Sequence, residues 1–223
     1  MTDFHDVPGL ALFDLDNTLV DRLGAFTSWA AGFVRSAGGD PDDLAWLLET
    51  DDDGRTSRPA LFDAARRRWN MAESVDALLG AYRRAQTEFY RPDPAVITPL
   101  GVLKGAGWRI VVVTNGSTAQ HRKVERAGLA DLVDAVYVSS EVGSAKPDPD
   151  IFLEACRGGP DDLVVMVGDA PDADIGGAHA VGLTTVWLDR GRPWPDRPFR
   201  PDHIVTTVGD AVEVVLALDR GHP

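Results

Sequence analysis

Lysine and cysteine are scarce in this chain: three lysines stand against nineteen arginines, and Cys156 is the single cysteine. One cysteine excludes an intrachain disulfide, and with nothing implying an oxidising compartment a reduced cytoplasm is the expected setting. No apolar run approaches the roughly 20 residues that a membrane-crossing helix needs. Residues Met1 to Leu10 carry Asp3, His5 and Asp6 but no basic segment followed by an apolar one, so a soluble, unexported protein is expected. Positive charge is in the minority. With 22 Lys and Arg against 35 Asp and Glu, the formal charge of -13 repels phosphate backbones and anionic lipid, which argues against nucleic-acid and membrane partners. There is no internal repeat and no low-complexity segment.

What is present suits a globular protein. The 223 residues are 44% hydrophobic and 26% charged, enough to bury the core of one domain or of one domain carrying an insertion. Short apolar runs bounded by turn residues recur at Leu10 to Phe13, Ile110 to Val113, Ala135 to Val138, Leu163 to Val167 and Thr184 to Leu188, with helix-like segments between most of them. Parallel strands covered on both faces read as unbroken Val/Ile/Leu stretches, as in Arg109-Ile-Val-Val-Val-Thr114. The expected fold is α/β, with a doubly wound, Rossmann-like parallel sheet. After a Pro-rich interruption from Gly191 to Pro201, a last strand at His203 to Val205 and a helix around Asp210 to Leu218 close it.

The stretch from Asp21 to Arg91 has no strand pattern, and its apolar spacing is helical. Phe26, Trp29, Ala30, Phe33 and Val34 mark one face; Leu78, Tyr82, Ala85 and Phe89 mark another. Ser74, and Asp40 followed by Pro41, are expected helix starts. A helical insertion over 21–91 therefore divides a core built from 1–20 and 92–223, with Arg91-Pro-Asp-Pro94 as a stiff return.

Four polar groups fall at or beside expected strand ends, where open α/β sheets bind ligands. Asp14-Leu15-Asp16 puts two carboxylates just beyond the first strand. Thr114-Asn115-Gly116-Ser117 offers hydroxyl and amide groups ahead of a helix, either as an oxyanion cradle or as a plain cap. Lys146, in Ser144-Ala-Lys-Pro-Asp-Pro149, is the one lysine set beside a rigid proline turn. Gly168-Asp169-Ala-Pro-Asp-Ala-Asp174 is an acidic loop opening a helix, a common place for acidic residues on dipole grounds alone. Each has a bland explanation singly; their order and complementary chemistry do not. Together they provide carboxylates for a hard cation, a cradle for an anion and a fixed ammonium, the parts that phosphoryl transfer needs.

With these motifs in this order, from Leu10 to about Leu218, the sequence resembles the haloacid dehalogenase-like hydrolase superfamily, most of whose members are phosphatases. The resemblance implies an inserted helical cap after the first motif, an aspartyl-phosphate intermediate and Mg²⁺. It implies Asp14 as nucleophile, Asp16 as general acid and base, and Thr114 and Asn115 as holders of the phosphoryl group. Lys146 would orient Asp14 and offset negative charge at the substrate. Mg²⁺ would be bound by Asp14, Asp169 and the main-chain carbonyl of Asp16, with Asp174 or its neighbour Asp172 in support. The implied substrate is a small phosphorylated metabolite, selected by the insertion. There Arg22, Arg55, Arg58, Arg66 to Arg68, Arg83 and Arg84 are cationic candidates, although for most a solvated helix face is the simpler account. Trp29, Trp46 and Trp69 read as core fillers. A phosphomutase shares the first chemical step, an idle binding protein shares the fold, and a dehalogenase would not need the acid at Asp16. A phosphonate-cleaving relative would need a cap lysine, and none is present.

Overall fold

All four residues of β1 (Leu10–Phe13) are buried, the burial demanded of a strand paired on both edges and covered on both faces. The computed structural model describes residues 8–157 and 163–219. In it β1 pairs in parallel with β2 (Arg109–Thr114) on one side and β4 (Val164–Gly168) on the other, with Phe13 level with Val112 and Val167. Outside these lie β3 (Ala135–Val138), next to β2, and β5 (Thr184–Leu188) followed by β6 (His203–Val205), next to β4. The order is β3-β2-β1-β4-β5-β6, and every pairing is parallel. Chain direction across the sheet reverses between β1 and β4, which opens a crevice beyond the carboxyl ends of those strands.

The chain divides into two compact units, one running through Val20 and resuming at Arg91, the other spanning Asp21–Tyr90. The second is helical: α1 (Arg22–Ser36), α2 (Pro41–Asp51), α3 (Arg58–Arg68) and α4 (Val75–Ala85). Asp40 caps α2 with Pro41 in its first turn, exchanging hydrogen bonds with Asp43, and the Ser74 hydroxyl accepts from Ala77 N at the start of α4. The core of this unit is aromatic. Trp29 stacks on Phe33 at 5.0 Å and meets Phe62 and Tyr82 edge-on, while Trp46 and Trp69 meet at 82° on its partly buried side. Phe89 departs from expectation, at 38% exposure. α4 stops at Ala85, and the tighter 3₁₀ turn Gln86–Phe89 rotates Phe89 off the apolar face.

Two of the candidate arginines are drawn inward. Arg22 and Arg58 both donate to Asp51, which is fully buried and also accepts from Gly54 N at 2.9 Å. Their guanidinium groups lie over the Phe26 ring at 5.5 and 5.0 Å.

The first unit carries α5 (Pro94–Gly105), α6 (Ala119–Arg126), α7 (Ser139–Val142), α8 (Pro149–Cys156), α9 (Gly177–Ala180) and α10 (Val208–Asp219). Ile151, Phe152 and Ala155 of α8 bury against Leu10, Leu12, Val111, Val113 and Met166, the alternate residues of the inner strands, while α5 packs against α10. Among the described residues no helix is long and apolar enough to cross a membrane.

Removing Asp51 takes away the carboxylate that Arg22 and Arg58 share inside the helical unit. Asp51→Ala is expected to cost about 3–5 kcal/mol in denaturant unfolding. Arg55→Ala, which breaks the exposed pair with Asp52 at a position of ordinary helical backbone, should change stability by no more than about 0.5 kcal/mol.

Candidate active site

Lys146 lies in the loop between α7 and α8, and its side chain is 2% exposed. Nζ donates to Asp14 Oδ1 at 2.6 Å and to the Val113 carbonyl at 2.7 Å, and it lies 2.7 Å from Asp174 Oδ1. One ammonium thus joins the ends of β1 and β2 to the turn that follows β4. Its own loop is held by Asn115, whose side-chain amide donates to the Lys146 carbonyl and accepts from the Lys146 N–H, both at 2.8 Å. Asn115 spends its amide on positioning Lys146.

Beyond β4, Asp169 and Asp174 turn inward and are buried, and Pro171–Gly176 winds as a π-helical turn. Asp174 Oδ2 accepts from Ala170 N at 2.9 Å. The missing side chain of Gly168 makes room for this, because a Cβ there would run into the Asp174 carboxyl group. Asp172 points away to Arg197, with a side chain 61% exposed, so Asp174 is the acidic residue of the cluster. The Asp169 carbonyl accepts from Trp187 Nε1 at 2.9 Å and from Arg192, and its Oδ2 pairs with Arg190 at 3.0 Å and Arg192 at 2.9 Å.

Thr114 ends β2 and is buried; its hydroxyl accepts from Gln120 Nε2 at 2.6 Å. Asp16 meets the same amide at 2.9 Å and the Lys123 ammonium at 2.6 Å. Ser117 serves the turn into α6 and accepts from Ala119 N. Sequence reasoning singled out Asp14, Asp16, Thr114, Asn115, Lys146, Asp169 and Asp174. It missed Gln120, Lys123, Arg190 and Arg192. For Lys123 one signal was available, since it is one of only three lysines.

Burial pushes Asp14 from 3.8 up to about 7; the Lys146 charge opposes this and Asp174 adds to it. Burial also raises Asp169 and Asp174. The Lys146 ammonium is held well above its usual range because attraction from Asp14 and Asp174 outweighs its desolvation. Carboxylate oxygens of Asp14, Asp169 and Asp174 all lie within 4.8 Å of one another. Buried hard-oxygen donors this close fit a divalent cation of the Mg²⁺ type, with metal–oxygen distances of about 2.0–2.1 Å. Burial pushes the Cys156 thiol up to about 11, so it stays protonated.

The model of the haloacid dehalogenase-like hydrolases matches residues 9–182. The chain is 30% identical over 207 residues to glyceraldehyde 3-phosphate phosphatase of Methanopyrus kandleri, covering 86% of this chain and 89% of that one. It is 32% identical over 207 residues to phosphoserine phosphatase of Thermus thermophilus, covering 87% of this chain and 69% of that one. The fold is similar to that of the magnesium-bound HAD-hydrolase YfnB of Bacillus subtilis, with a TM-score of 0.75 over 93% of this chain and 98% of that one at 22% identity.

A carboxyl raised in the folded state keeps its proton while the unfolded chain ionises, so stability falls as pH rises through the interval between the two values. Relative to Asp14→Asn, the metal-free protein should lose stability from pH 4 to about 7 and level off above it, as read from urea midpoints.

Proposed function

Because the chain belongs to the haloacid dehalogenase-like hydrolases, we propose that it is a Mg²⁺-dependent phosphatase of small organic phosphomonoesters, working through a phosphoryl group carried on Asp14. The observation that carries this reading is the meeting of Lys146 with Asp14 and Asp174, with Asp169 in the same cluster. The relatives that bear phosphatase names support the reaction class.

Lys146 grips Asp14 through Oδ1 and so fixes the plane of the attacking carboxylate. Asp14 bonds to phosphorus as the ester P–O bond breaks, and Asp16 gives its proton to the departing alcohol. Asp16 then takes a proton from water, which attacks phosphorus, releases inorganic phosphate and restores Asp14. Thr114 holds the phosphoryl group through its hydroxyl, and Asn115 serves the same cradle by fixing the loop that carries Lys146. Asp14, Asp169, Asp174 and the Asp16 carbonyl would hold Mg²⁺, which would supply the positive charge that lets a carboxylate approach a phosphate dianion. A halide leaving group would need no proton, so the carboxyl group at Asp16 counts against dehalogenation.

Substrate choice is assigned to the inserted helical unit as a cap, because the groups above grip only phosphoryl and metal. Net charge of -13 favours a small metabolite over a polyanion, and the cytoplasm is the proposed setting.

Asp14→Asn preserves size and removes nucleophilicity. Phosphate release from a metabolite panel should fall at least about 10³-fold while the variant still unfolds in one cooperative transition. Excess EDTA should stop the wild-type reaction and added Mg²⁺ should restore it; near-normal rates in either case would overturn the reading.

A further inference from the structure

Asp16 is gripped from α6. Gln120 and Lys123 stand three residues apart on that helix, so their side chains leave the same face. Lys123 Nζ is 2.6 Å from both carboxylate oxygens of Asp16, and Gln120 Nε2 donates to Asp16 Oδ2 at 2.9 Å and to Thr114 Oγ1 at 2.6 Å. Both residues are buried, at 5% and 3% exposure. A lysine is seldom kept inside without a matching charge, and for packing alone an apolar side chain would fill the space without desolvating an ammonium. The backbone is shaped to admit Gln120. Gly116 has φ +154°, and a Cβ there would come within 3.0 Å of the Gln120 side chain.

We propose that Lys123 and Gln120 are positioning residues for proton transfer. Lys123 donates to both oxygens of Asp16 when that group is ionised and to its carbonyl oxygen when it carries the proton, so the carboxyl group keeps one direction through both half-reactions; Gln120 ties that direction to the Thr114 hydroxyl, so the acid and the phosphoryl cradle move as one body. This rests on the phosphatase reading, in which Asp16 protonates the leaving alcohol. The consequence is selective. Phenolate leaves poorly without a proton, whereas p-nitrophenolate leaves well without one, and kcat/KM reports the reaction only through that departure. Loosening Asp16 therefore penalises phenyl phosphate and spares p-nitrophenyl phosphate.

The test is kcat/KM for both esters with Mg²⁺, on the full chain and on Lys123→Met and Gln120→Met. The ratio of p-nitrophenyl to phenyl phosphate should rise at least about tenfold in Lys123→Met, part of the ~10²–10⁴ that a complete general acid contributes. It should rise in the same direction in Gln120→Met, which decides the matter if the lysine variant does not fold. Equal losses on the two esters, or no loss, in a folded variant with an active wild type would overturn the positioning role alone. A wild type inactive on both esters would overturn the phosphatase reading and this inference with it.

Discussion

A buried ammonium between two buried carboxylates is the constraint on which the rest of the molecule depends. None of the three charges is tolerable alone at this depth, since each has given up its hydration; the ammonium compensates both carboxylates, which repel one another. Burial still wins at Asp14, which is why its carboxyl sits near neutral pH in spite of Lys146 at 2.6 Å. The pairing also ties chemistry to topology. Asp14 follows β1, Asp174 follows β4 and the Val113 carbonyl belongs to β2, so the three central strands must be in register for the ammonium to find its partners.

Charge is matched throughout the first unit's site. Asp14 and Asp174 have Lys146, Asp16 has Lys123, and Asp169 has Arg190 and Arg192. The side chains are already oriented by these partners and by main-chain bonds such as Trp187 Nε1 to the Asp169 carbonyl. A site fixed in this way needs little reorganisation when charge develops on a substrate.

The strands were legible because buried parallel strands leave unbroken apolar runs, and Asp14, Lys146 and Asp169 were legible because polar residues stand where those runs end or beside a rigid turn. Asp172 and Asp174 were not separable, since both follow the same strand and only the π-helical turn decides which one faces in. Gln120 and Lys123 were hidden for another reason. They belong to Ala-Gln-His-Arg-Lys-Val-Glu-Arg, a helix so polar that no apolar stripe marks its inner face. Arg22 and Arg58 could not be told from the solvated arginines without tertiary information, because their partner Asp51 comes from another helix. Phe89 leaves the apolar face because the 3.6-residue period of α4 gives way to a 3₁₀ turn.

The place of β1 in the sheet bears on how the chain is made. Leu10 pairs with Arg109 and Val164, so this inner strand is synthesised ahead of both its neighbours and finds them only after the whole helical unit has been made. Its unpaired edges must wait, while α1 to α4 draw on contacts local enough to form during translation. Four residues make β1 a short template for mispairing during that delay.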